Sequence, residues 1–223
     1  MIYELRQYAM RPGMRDTLID LFEREFIESQ EEAGMQVVGH FRNLDDPDHY
    51  PWIRAFPDME ARREALTTFY SGPVWKANRD AANATLLDSD DVLLLRPVTG
   101  PDVPGRPWPP PLTGAASRPP VGAKEIPPSL YVVTICHAGD DFAAHFAEHI
   151  APALTAAGAP PLACFETEHA VNTYPKLPVR EGENVFVWLN RFDRVEDEVP
   201  APDLGDRLVQ RLRLSPAARS TLR

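Results

Sequence analysis

The sequence is short of cysteine, of basic charge and of long apolar runs, and each shortage removes a class of protein. Its two cysteines, Cys136 and Cys164, both sit in apolar, strand-like stretches. That is the placement of reduced core thiols, not of a disulfide framework. Lysine and arginine total 23 against 33 Asp and Glu, for a net charge of -10. Such a field repels phosphate backbones and anionic headgroups, which argues against nucleic acid or a membrane as partner. No apolar run approaches the roughly 18 residues that span a bilayer. The opening Met1-Ile2-Tyr3-Glu4-Leu5 reads as a strand rather than a secretory signal, and a cytoplasmic location is expected.

Proline, by contrast, is plentiful and unevenly placed: 11 of the 24 fall between Pro97 and Pro128, including Pro109-Pro110-Pro111. Proline lacks the donor that helices and ladders need, so this stretch is expected to be an extended surface linker, residues 98–128. It separates a first module, residues 1–97, from a second, residues 129–223. Each is of a size that buries a modest core.

In the first module, Ile2–Met10 reads as a strand and Arg11-Pro12-Gly13 as a turn. Leu18, Leu21, Phe22 and Phe26 share a face at helical spacing, predicting a helix over Met14–Glu32 that ends at Gly34. Strands follow at Gln36–Arg42 and Pro51–Phe56. Asp58 is placed as the N-cap of a helix reaching Tyr70, and Ser71-Gly72-Pro73 starts another that carries Trp75. Val92–Arg96 closes the module as a strand. The order βαββαβ is that of a split-βαβ, ferredoxin-like unit.

The second module echoes the first. Tyr3–Tyr8 corresponds to Tyr131–Cys136, and Ala33-Gly34 followed by Phe41 to Ala157-Gly158 followed by Phe165. Trp52 followed by Phe56 corresponds to Trp188 followed by Phe192, and Ser71-Gly72-Pro73 to Ser215-Pro216. All of these echoes fall in the same order.

The opening Tyr3-Glu4-Leu5-Arg6-Gln7-Tyr8 with Arg11-Pro12-Gly13, and the segment Phe69–Trp75, resemble the NIPSNAP family over residues 1–97, and more weakly over 129–223. The resemblance implies a dimeric α/β-barrel architecture, closed within one chain or in a homodimer. The expected fold is therefore α+β, with tandem ferredoxin-like domains of that type whose antiparallel sheets pack face to face. Related barrels include cofactor-free monooxygenases, polyketide cyclases and haem enzymes, so the fold does not select a chemistry.

Strand alternation divides the first module into two faces. Leu5, Val37, Phe41, Ile53 and Ala55 suit the helix side, which leaves Glu4, Arg6, Tyr8, His40, Arg42, Trp52, Arg54 and Phe56 for the barrel interior. Projecting the repeat sets Arg6 against Thr134, Tyr8 against Cys136, His40 against Cys164, Arg42 against Glu166 and Arg54 against Asn190. Only the tryptophans, Trp52 and Trp188, are kept. One asymmetric pocket per chain is expected, with His40 as general acid or base and Tyr8 as a catalytic hydrogen-bond donor. Arg6 and Arg54 would hold an anionic oxygen, Trp52 and Trp188 would wall a planar ligand, and Glu166 and Asn190 would line the far side.

The expected function is cofactor-independent acid/base chemistry on an anionic, planar small molecule, with no bound metal or organic cofactor. Three alternatives stay open. Glu4, Arg6 and Arg54 could form an ion network that fixes strand pairing, leaving His40 inert; the chain could be a non-catalytic NIPSNAP-type binding or scaffold protein; or His40 could be the axial ligand of a haem or bind a metal. His145-Phe146-Ala147-Glu148-His149 has the H-x-x-E-H form of some zinc peptidases, but Phe142, Phe146, Ile150 and Leu154 leave its histidines on a solvated helix flank. The polar loop His169–Glu183, with Asn172, Tyr174, Lys176 and Arg180, reads as a solvated connection able to cap a barrel mouth.

Overall fold

The computed structural model describes residues 1–98, 118–139 and 141–223; most of the proline-rich linker, and with it the expectation of an extended surface segment, lies outside the described residues. The first half runs β1 (Ile2–Met10), α1 (Arg15–Leu21), a π-turn at Phe22–Phe26, α2 (Ile27–Glu32), β2 (Gln36–Asn43), β3 (His49–Phe56), α3 (Met59–Ser71), α4 (Pro73–Asn83) and β4 (Leu86–Pro97). The second runs β5 (Leu130–His137), α5 (Phe142–His145), a π-turn at Phe146–Ile150, α6 (Ala151–Ala156), β6 (Ala163–Thr167), β7 (Val185–Phe192) and β8 (Leu208–Pro216). The local signals behave as their chemistry dictates. The Asp58 carboxylate caps α3 by accepting from the Ala61 N–H at 2.8 Å, and Pro73 opens α4 where its missing donor costs nothing.

The eight strands form one closed antiparallel barrel in the order β1-β3-β2-β8-β5-β7-β6-β4. This modifies the expectation of two sheets merely packed face to face. The sheets are joined along both edges, β2 to β8 through Phe41 opposite Pro216 and β4 to β6 through Arg96 opposite Glu166. Closure leaves no unpaired edge, the feature that makes open sheets prone to aggregation.

The pairing register repeats between the halves. Trp52 lies opposite Arg6 and His40, and Trp188 lies opposite Thr134 and Cys164. The echo at Ser215-Pro216 does not hold, because these residues end β8 instead of starting a helix. Where the first half has α3 and α4, the second has only short 3-10 turns at Val195–Asp197 and Gly205–Arg207.

The expected facing of the strands is reversed for Leu5, Phe41, Ile53 and Ala55 and for their charged and aromatic neighbours, while Val37 stays on the helix side as expected. Tyr3, Leu5, Val38, Phe41, Ile53, Ala55, Leu93 and Leu95 join Tyr131, Val133, Ile135, Phe165, Val187, Leu189, Leu212 and Leu214 in one buried cluster. That cluster draws on all eight strands, so it fills the barrel interior, which at this strand number is only wide enough for side chains. Trp52, Phe56 and Val37 instead pack against Phe22, Phe26, Leu66 and Phe69 of the helices. The charged residues Glu4, Arg6 and Arg54 alternate onto that outer layer, where helical partners can reach them. Alternation separates two faces but does not say which one a helix will cover.

Candidate functional site

On the outer face of the first half, Glu4 is fully buried and receives three guanidinium groups. Arg6 Nη1 approaches its Oε2 at 2.8 Å, Arg54 Nε the same oxygen at 2.7 Å, and Arg62 Nε its Oε1 at 2.6 Å. One carboxylate against three cations leaves this buried cluster with two uncompensated positive charges. Burial pushes the Glu4 carboxyl up, but attraction to Arg54, Arg6 and Arg62 outweighs it and holds the group well below the usual carboxylate range. Trp52 lies between two of the cations, its ring 5.1 Å from the Arg54 guanidinium carbon and 5.7 Å from that of Arg6.

Against this cluster, between sheet and helices, is a cavity of about 110 Å³. Its floor is Tyr8, Trp52 and Gln30. Phe22, Phe26 and Trp75 form its walls, with Tyr70, and Leu177 reaches it from the second half. The π-turn adds a residue to the helix and sets Phe22 and Phe26 edge to face, 6.3 Å apart. Tyr8 Oη accepts from Arg6 Nε at 3.1 Å, which leaves the phenol's own proton free to be donated. Arg6 Nη2 donates to the Ser89 carbonyl, and Gln30 Oε1 accepts from Arg54 Nη1 at 3.3 Å. Buried donors remain: Trp52 Nε1, Arg54 Nη2 and Arg62 Nη2 have no hydrogen-bond partner among the described residues. Burial raises the Tyr70 hydroxyl above the ordinary phenol value.

The expected site residues are divided by the fold. Tyr8 and Trp52 line the cavity, while Arg6 and Arg54 stand behind Tyr8 and Gln30. His40 is next door, its ring 5.3 Å from that of Phe22, but it is not part of the cavity lining. Burial, followed by the charge of Arg118, holds His40 at a pKa of about 3, and neither ring nitrogen has a hydrogen-bond partner among the described residues. The nearest carboxylate oxygen, Glu23 Oε1, is 3.6 Å from Nε2. A group this hard to protonate is a poor general acid or base at neutral pH.

Trp188, Asn190 and Glu166 belong to the other half. Trp188 Nε1 donates to Asn190 Oδ1 at 3.0 Å, Asn190 Nδ2 donates to the Ala159 carbonyl, and Glu166 pairs with Arg96 at 2.9 Å. Trp188 does not line the cavity that Trp52 lines, so the two do not wall it together as expected. His145 and His149 are exposed on their helix, and no group of three His, Cys, Asp or Glu suited to a metal occurs among the described residues. Cys136 and Cys164 are free and buried, each thiol pushed up to about 12 by burial.

Sequence reasoning missed Arg62, Gln30, Tyr70 and Trp75 as site residues. Arg62 carried a signal: with Ala65, Leu66 and Phe69 it falls on the buried stripe of α3, where a charged residue needs a partner.

The fold is an eight-stranded α/β barrel with a helix-covered cavity in its first half. Residues 3–100 match the family model NIPSNAP, so this half carries a NIPSNAP domain. Over the whole chain, a proposed monooxygenase from Lactobacillus acidophilus shares the fold at 10% identity and a TM-score of 0.52, covering 98% of this chain and 97% of its own. A second from Fusobacterium nucleatum is 8% identical with the same TM-score, covering 98% and 92%. An uncharacterised NIPSNAP domain protein from Burkholderia xenovorans is 17% identical over 44% of this chain and 96% of its own, with a TM-score of 0.40. No curated protein matches the sequence. No helix among the described residues is long and apolar enough to cross a membrane.

Proposed function

We propose that the chain is a small-molecule enzyme that binds a planar, weakly acidic compound in the first-half cavity and stabilises its conjugate base, without a metal or organic cofactor. The observation that carries this reading is the Tyr8 hydroxyl, which lines an aromatic cavity while accepting a hydrogen bond from an arginine of a cluster with two excess positive charges. A phenol whose lone pair is engaged by a cation is a stronger donor, and a preorganised donor in a low-dielectric site favours an oxygen on which negative charge develops. Trp52, also in the lining, adds a buried indole N–H with no hydrogen-bond partner among the described residues. Cyclisation, isomerisation, elimination and oxygenation of activated carbon acids all begin with such an anion. The likeness to proteins described as proposed monooxygenases supports the fold of this reading and leaves the choice among these reactions to experiment.

The rival is a non-catalytic binding or scaffold protein, favoured by the apolar filling of the barrel interior. Para-nitrophenol separates the two, because its absorbance reports ionisation. Bound to the wild-type protein it should ionise about one pH unit or more below its value in water, an effect of about 1.4 kcal/mol. Tyr8→Phe should remove most of the shift. An unshifted ionisation, or the same shift in Tyr8→Phe, would rule the enzyme reading out and leave the binding protein.

A further inference from the structure

The cavity is lined by the first half except at one point, where Leu177 reaches it from the second half. In the loop between β6 and β7, Leu177 lines the cavity and Tyr174 stacks on Tyr70, 6.1 Å between centroids at an interplanar angle of 23°. A single side chain holds both residues. Asn172 Oδ1 accepts from Arg62 Nη1 at 3.0 Å and from the Tyr174 N–H at 3.1 Å, and Asn172 Nδ2 donates to the Leu177 carbonyl at 2.9 Å. Further bonds pin the loop to the first half: Thr173 Oγ1 donates to the Met59 carbonyl and the Arg180 N–H to the Val92 carbonyl, both at 2.9 Å. Meanwhile the second half's own outer layer has Thr134, Cys136, Cys164 and Asn190 where the first has Arg6, Tyr8, His40 and Arg54.

We infer that this loop is the specificity wall of the first-half site, with Leu177 and Tyr174 limiting the ligand to a single planar ring and Asn172 positioning both. The inference rests on the proposed function for the location of the site, but not on the chemistry done there. Size supports it: a cavity near 110 Å³ is of the order of the ~150 Å³ apolar cavity known to admit benzene. Through Arg62, the wall is also tied directly to Glu4 and the buried charge cluster, so its position and the site's positive charge are mechanically linked.

Benzene and naphthalene test the wall in the full-length protein, because neither ionises and neither depends on Tyr8 chemistry. Ligand-detected NMR titration should show wild type favouring benzene. Leu177→Ala and Asn172→Ala should each move the benzene-to-naphthalene preference about tenfold toward naphthalene, the scale of a small change in an apolar pocket. Val171→Ala, at an exposed position of the same loop, is the control and should leave the ratio alone. Leu177→Phe narrows the space and should exclude benzene, a readout that stands even if the alanine variants fold poorly. An unchanged ratio in both alanine variants, equal affinity of wild type for the two probes, or no binding by wild type and Leu177→Ala alike overturns the inference. A changed ratio with an unshifted para-nitrophenol ionisation would instead sink only the proposed chemistry.

Discussion

Glu4→Gln is the sharpest probe of the site, because it removes one charge and almost no volume. The wild-type carboxylate receives three guanidinium groups at 2.6–2.8 Å in full burial. A neutral amide leaves Arg6, Arg54 and Arg62 together with no anion between them, and its own NH₂ must point a donor at one of them. Removing one partner from a buried charge cluster costs about 3–5 kcal/mol. For a chain of this size each kcal/mol lowers the melting temperature by about 2–4 °C, so a fall of roughly 6–20 °C is expected. The effect has a pH signature. Glu4 is held below the ordinary carboxylate pKa in the folded state, so the unfolded chain takes up its proton first as pH falls. Its contribution is complete at neutral pH, begins to fade below about 4.3, the unfolded value, and disappears through the lower folded value. The gap between wild type and variant should therefore be widest near neutrality and narrow in acid. Calorimetric melts of both proteins across that range check it. A variant that melts within a degree or two of wild type at neutral pH would refute the view that this carboxylate holds the arginines in place.

His40 offers a second pH test. Its folded pKa of about 3 lies below the ordinary 6.5, so its stabilising effect is complete above about 6.5 and is lost as pH falls toward 3. Over that interval it should contribute a slope approaching about 1.4 kcal/mol per pH unit; His40→Asn should flatten the slope in thermal melts, and an unchanged profile would show that the ring is not buried neutral. The two tryptophans should also separate. Trp188→Phe breaks the bond to Asn190 and should cost about 1–3 kcal/mol of stability while leaving para-nitrophenol binding intact, whereas Trp52→Phe should weaken that binding. Equal effects of the two on the probe would place the site elsewhere.

The sequence by itself determined the elements of the first half and the repetition of its strands in the second, though not the loss there of α3 and α4. Periodicity, the Asp58 cap and Pro73 are local signals, acting within a turn of helix, and they sit in the structure where local chemistry puts them. The echo of Tyr3–Tyr8 in Tyr131–Cys136, and of Trp52 in Trp188, is matched by a repeated strand register. The resemblance to NIPSNAP likewise rested on short segments of the first half, where the family model also matches. Even the Glu4–Arg6–Arg54 network was readable from the sequence, since three charges on one face of neighbouring strands must find each other or be unpaired.

Tertiary structure alone decided which face those charges occupy. A period of two gives two equivalent faces, and the choice between them was made by the barrel's width, which fits apolar side chains from eight strands, and by helices able to bring Arg62 and Gln30 to the other side. It also decided that His40 and Trp188, though similar in kind to the residues of the cavity, stand outside it. Phe22 intervenes in one case and the barrel wall in the other. The reach of Leu177 and Tyr174 from the second half into the first was equally hidden. A loop's sequence specifies its polarity, but only barrel closure, which sets β6 beside β4, brings that loop over the helices of the other half.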